Sequence, residues 1–227
     1  MKELAVASAL LTFTISVPAT ATIIGGTVTG GTALGAGGTF VELTTALSNP
    51  FGPSNSVGNN NFQSPNLYGF DEDQHIVLAA PLSVGVGITI PAGSTVASHY
   101  IFFDSRASQS IVGTVDFDSD VLAIITSTKL LAASDFLANT GVNYLNPSHR
   151  GLEAGDSVTI SGPRQIRFDT SADNPGDYVR VLTIFSLPTT FSTLATVSEL
   201  ATVSEPGGLA LTVSALIALA ALIKRGR

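Results

Sequence analysis

Two long apolar runs stand at the ends of the chain, and short alternating runs fill the space between them. Between the ends, the dominant signal is the period of two that marks a half-buried strand. In SVGVGITI, Val84, Val86, Ile88 and Ile90 point one way while Gly85, Gly87 and Thr89 point the other. The same test places Ile111, Gly113, Val115 and Phe117 on one face, pairs Val158 with Ile160, and pairs Ile166 with Phe168. Ser161-Gly162-Pro163 separates the last two pairs and predicts a hairpin. Further strands are expected at Phe40 to Thr44, His75 to Ala79, Val96 to Phe103, Val121 to Thr126 and, with mixed facing, Tyr178 to Phe185 after the turn Asn174-Pro175-Gly176-Asp177. Thr22 to Gly38 reads as a first strand and a flexible approach, and the Pro- and Asn-rich 49–66 as a loop. Only Thr128 to Asn139 has a helical pattern, with Leu130, Leu131, Phe136 and Leu137 available to cover an open end of a sheet. Roughly ten short strands separated by turns predict an all-β body, an antiparallel β-sandwich or jelly-roll-like fold with one short helix.

The terminal runs read as addresses rather than core. Lys2, the apolar stretch Leu4 to Val17, Pro18 and the small residues of Ala19-Thr20-Ala21 follow the order of a secretory signal peptide, with cleavage by signal peptidase expected after Ala21. A buried N-terminal helix or strand is the plainer alternative. At the other end, Leu209 to Ile223 is broken only by Thr212 and Ser214, and Gly207 and Gly208 lengthen it before Lys224, Arg225 and Arg227. That length is about 25 Å of helix, the short limit for crossing a bilayer, and the three cations form a basic membrane stop. A core helix normally keeps a polar face, and this segment has none. The expected organisation is a signal peptide over 1–21, an exported domain over 22–187, a Ser/Thr-rich spacer over 188–206 and a transmembrane helix with basic tail over 207–227. The spacer holds a tandem LATVSE at 194–205, too poor in large residues for a core, although an amphipathic helix is a second reading.

Composition sharpens this picture. The chain has 227 residues, a mean hydropathy of +0.40 and a net charge of −7, with no Cys and no Trp. Without sulfur ligands there is no thiolate zinc site, disulfide framework or cysteine nucleophile. Arg106, Lys129, Arg150, Arg164, Arg167 and Arg180 are the only basic residues of 22–206, so a nucleic-acid partner is not expected and anionic lipid is disfavoured.

Candidate chemistry is sparse. Asp116, Asp118 and Asp120 alternate with Phe117 and Ser119, so in a strand their carboxylates project from one face and form the best calcium candidate. The loop is no EF-hand, since Val121 and Ser127 stand where that motif needs Gly and Glu. The plainer reading is a solvated strand face, and no cofactor is otherwise expected. Asp71-Glu72-Asp73 reads as an acidic loop, in which Asp71 and Asp73 share a face if extended. His75, His99 and His149 lack metal-ligand spacing, and no GxSxG supplies a serine nucleophile, so an enzyme is not expected. SVGVGI resembles a phosphate loop only in its glycines. Glycan binding, with extracellular polysaccharide as partner, would use an exposed aromatic; Tyr178 fits that role or a core role equally.

Glu205-Pro206, the apolar helix and Lys224, Arg225 and Arg227 together resemble the PEP-CTERM sorting signal of exported bacterial proteins, with Ser204 standing where that family has its first proline. The resemblance implies an exosortase that reads the sorting motif Ser204-Glu205-Pro206, passage through the inner membrane, and delivery to the cell envelope, surface or extracellular matrix. The body also looks like a region recurring in such proteins, at 66–78, 98–105, 115–137, 150–160 and 174–183, for which the resemblance supplies no chemistry. The expectation is an exported, non-enzymatic surface or matrix protein; a calcium- or carbohydrate-binding module is the alternative.

Overall fold

A strand can be apolar on both sides only if both faces of its sheet are covered, and two strands at the centre of the molecule have this property. In the computed structural model, which describes residues 20–44, 47–173 and 175–185, these are Thr95–Phe103 and Asp177–Ile184. In chain order the strands are β1 (Ile23–Gly30), β2 (Phe40–Glu42), β3 (Ser56–Val57), β4 (Leu67–Asp71), β5 (Ile76–Val77), β6 (Val86–Gly87), β7 (Thr95–Phe103), β8 (Gln109–Phe117), β9 (Val121–Ile125), β10 (Asn143–Tyr144), β11 (Ser157–Gly162), β12 (Gln165–Ala172) and β13 (Asp177–Ile184). Two helices, α1 (Gly31–Gly35) and α2 (Thr128–Ala133), and two 3-10 turns, Asp135–Leu137 and Pro147–His149, complete the fold.

The strands form a four-stranded sheet, β1-β8-β12-β11, and a seven-stranded one, β2-β4-β7-β13-β9-β6, with β5 added beside β7. Alternation along each strand decides what packs where. Ile111, Val115 and Phe117 of β8 and Ile166 and Phe168 of β12 meet Ile101 and Phe103 of β7 and Val179 and Val181 of β13, closing the core between the sheets. The other face of the larger sheet carries Tyr68, Phe70, Tyr100, Phe102 and Tyr178, covered by Phe62, α2, the 3-10 turn at 135–137 and the segment around Leu78, Leu82 and Ile90. Rings in this second core stack, Tyr68 on Phe102 at 5.2 Å and Phe102 on Tyr178 at 5.5 Å. The molecule is therefore mostly β and sandwich-like, with an additional loop-and-helix layer.

Several expectations hold. β7, β8, β9 and the β11–β12 hairpin lie where alternation puts them, and β8 buries Ile111, Gly113, Val115 and Phe117 on one face. Others change. Pairing is not purely antiparallel, because β2 runs parallel to β4 and β10 parallel to β3. SVGVGITI is not a continuous strand: Gly87 sits at φ +96°, Val86–Gly87 pairs with β9 while Ile90 makes a separate bridge to Leu82, and Ile88 is 72% exposed. The approach segment contains α1, entered through Gly31 at φ +83°, where an added Cβ would strike the Ser110 carbonyl. Helix 128–139 breaks at Ser134 into α2 and a 3-10 turn, and Phe136 faces outward.

Candidate functional site

Asp116, Asp118 and Asp120 do not share a strand face. β8 ends at Phe117, and the chain bends through 118–120 to cross from the smaller sheet into the larger one at β9. Each carboxylate takes a different partner. Asp116 accepts from Gln165 Nε2 at 2.7 Å, and Asp120 pairs with Arg164 at 3.0 Å on the surface. Asp118 accepts from the Thr22 amide at 2.9 Å, the Thr22 hydroxyl at 3.2 Å and the Ser119 hydroxyl at 2.9 Å. Among the described residues no group of three or more His, Asp or Glu is arranged to hold a metal ion.

The histidines are apart, and each has a local role. His75 is exposed at φ +56° and stacks on Phe185 at 4.5 Å, while His149 is exposed in the 3-10 turn beside Ser148 and Asn146. His99 is fully buried between the sheets, Nδ1 2.7 Å from Asp71 and Nε2 3.0 Å from the Thr183 hydroxyl. This order of carboxylate, imidazole and hydroxyl imitates a catalytic relay, but Thr183 is sealed at 0% exposure, so its oxygen meets no substrate. The relay instead joins three neighbouring strands: β4, β7 and β13.

Asp71-Glu72-Asp73 is in part the loop expected, since Glu72 and Asp73 follow the end of β4, but it is not a solvated one. Asp71 closes β4 toward His99, and the next residue, Glu72, turns to the opposite face and is buried. There Glu72 receives Arg180 at 2.6 and 2.9 Å, the Tyr144 hydroxyl at 2.6 Å and the Ser98 hydroxyl at 2.6 Å. Arg180 also donates to the carbonyls of Leu131 and Ser134, which close α2, and lies 5.7 Å from the centre of the Tyr100 ring. Arg150 forks onto Asp135 at 2.9 and 2.8 Å at the rim of the same network. Glu72 and the buried phenol of Tyr100 hold the Arg180 guanidinium well above its ordinary range despite the opposing effect of burial. Pairing across so many residues leaves no local sequence signal. The surviving hint is an arginine inside an otherwise apolar strand, YVRVL.

Two further buried carboxylates lie at the far end of the same strands. Asp104, just after β7, accepts from the Phe62 amide at 3.1 Å, and Asp177 opens β13 opposite Phe103. Burial pushes the Asp104 carboxyl up to about 6. Burial, reinforced by Asp156 and Glu153, pushes Asp177 up to about 7. One oxygen of each has no hydrogen-bond partner.

Concave surface of another kind lies beside β5. Val77, Ala79, Ala80, Pro81 and Leu82 face Leu130, Ala133 and Phe136 of the helical segment across a groove of about 490 Å³ without a charged lining residue. Tyr178 is 1% exposed, and Tyr68 and Tyr100 are buried as well, so these three offer no sugar platform; among the described residues Phe51 and Phe136 are the exposed phenylalanines. Ser204, Glu205, Pro206, Lys224, Arg225 and Arg227, the LATVSE tandem and the expected signal and membrane segments lie outside the described residues. No helix among the described residues is long and apolar enough to cross a membrane.

No family model, no curated protein and no solved structure matches the chain.

Proposed function

We propose that the protein is an exported, non-enzymatic component of a bacterial cell surface or extracellular matrix. Its sandwich is released from a signal peptide and carried on a C-terminal membrane segment that an exosortase sorts. The observation that carries this reading is the order along the chain: an N-terminal signal pattern, a strand-rich acidic body, and Ser204-Glu205-Pro206 before an apolar run closed by Lys224, Arg225 and Arg227. The body's chemistry is compatible with it. The buried Glu72 and Arg180 charges are paired with each other, and the relay of Asp71, His99 and Thr183 ends on a sealed hydroxyl. The alternative, a calcium- or carbohydrate-binding module, draws less from the same geometry, because the carboxylates at 116–120 have separate protein partners and the buried tyrosines offer no stacking face.

The test is expression of the full chain in a host with an exosortase and in a matched host lacking it. The expected outcome is a cell-surface or released form that lacks the tail only in the first host. A full-length protein with Met1 intact in the cytoplasm of both overturns the proposal.

A further inference from the structure

Small residues that suit a signal peptidase occur in two registers. Ala19 and Ala21 define a cut before Thr22, and Val17 and Ala19 define one two residues earlier, before Thr20. The small residues at 19 and 21 favour the later cut on sequence alone, but the residues that separate the two cuts are built differently into the fold.

Ala21, Thr22 and Ile23 give their backbone N–H groups to three distant side chains. Ala21 donates to Gln74 Oε1 at 3.2 Å, Thr22 to Asp118 at 2.9 Å and Ile23 to Asp71 at 3.2 Å. The Asp118 amide returns a bond to the Thr22 carbonyl at 3.0 Å. Ile23 pairs with Phe117 of the smaller sheet, whereas Asp71 belongs to β4 of the larger one, so this short tongue bridges the two. Ala21 is wholly buried and Thr20 is exposed. Gln74 is committed on its other side too, its amide nitrogen donating to the carbonyls of Glu72 and Ser98.

We propose that the export signal is removed between Ala19 and Thr20, so that Thr20 begins the exported chain and Ala21 is kept as a structural plug. The inference rests on the export reading above. A cut before Thr22 deletes a fully buried residue, takes from Gln74 Oε1 its only donor among the described residues, and replaces a single planar amide with an ammonium group. Asp118 would partner that ammonium, but nothing refills the space of Ala21.

The experiment is mass spectrometry of the N-terminal peptide of the full chain recovered from the exported fraction. A peptide starting Thr20-Ala21-Thr22 is expected, and one starting at Thr22 overturns the assignment. A cytoplasmic chain with Met1 intact overturns the export reading itself, which separates the two failures. Two variants read the choice of cut. Ala21→Leu, which puts a bulky side chain before the later bond, should leave the cut before Thr20 unchanged; a block there overturns the assignment. Val17→Asp, which spoils the earlier register at the end of the apolar stretch, should accumulate precursor; a shift of its cut to Thr22 with normal yield and melting temperature counts against a structural need for Ala21. A chain engineered to mature at Thr22 should melt about 2–4 °C below the one starting at Thr20; equal melting temperatures also overturn the plug.

Discussion

At the scale of single residues, the interior is organised by a few charged side chains whose partners are far away in sequence. Removing one member of the Glu72–Arg180 pair strands the other in a fully buried site. Arg180→Met should therefore cost about 3–5 kcal/mol, read by denaturant unfolding, while the Glu72→Leu, Arg180→Met double variant should be less damaging than the sum of the single changes. Asp118→Ala removes the acceptor for the Thr22 amide and hydroxyl and should cost about 1–3 kcal/mol with no calcium present; rescue by Asp118→Asn to near wild-type stability would separate hydrogen bonding from charge. The acidic run 71–73 and the alternating aspartates at 116–120 are both visible in the sequence, but their roles are not. Alternation places Asp71 and Glu72 on opposite faces only once β4 is known to stop at Asp71 and to be covered on both sides. Likewise, a strand reading of 116–120 fails because β8 ends at Phe117, where the chain changes sheets.

At the scale of elements, the ends of β7 and β13 carry a pH response with a definite sign. Asp104 and Asp177 bind protons more tightly in the folded protein than in the unfolded chain, so folding is favoured in acid. This contribution is present near and below the ordinary carboxylate range and is lost as pH rises through about 6 for Asp104 and about 7 for Asp177. Thermal melts should fall between pH 5 and 8, and Asp177→Asn should flatten that slope, removing on the order of 2–3 kcal/mol of the difference. A slope unchanged in the variant would assign the response to other groups. Backbone conformation limits the helical elements in turn. Gly31→Ala should destabilise the β1–α1 junction by about 1–3 kcal/mol, since its left-handed backbone and the nearby Ser110 carbonyl both oppose a Cβ. Strands with a clean period, such as β8 and β12, were legible because one face meets the core and the other meets solvent. SVGVGITI has the same period but is interrupted by Gly87, where an added Cβ would meet the Leu122 carbonyl, and alternation alone does not register such a turn. The short helix α1 has five residues and no amphipathic stripe to announce it.

At the scale of the whole molecule, the all-β character follows from many local periods that agree, whereas the double coverage of the larger sheet depends on long-range partners. Its clearest sequence trace is the mixed facing of β13, whose apolar residues fall on both sides of the strand. The position of that strand has a mechanical consequence. β13 lies between β7 and β9, antiparallel to both, with eight residue pairs in register on the β7 side, and it is the last strand among the described residues. Force applied through the chain beyond Ile184 would draw β13 along its own axis and load both ladders in shear, so that many backbone hydrogen bonds resist together instead of opening one after another. A domain pulled from this end should rupture at a higher force than the same domain pulled across its β11 edge, where only the β12 pairing holds the strand. A single-molecule pulling experiment with handles placed at the two positions measures the difference directly.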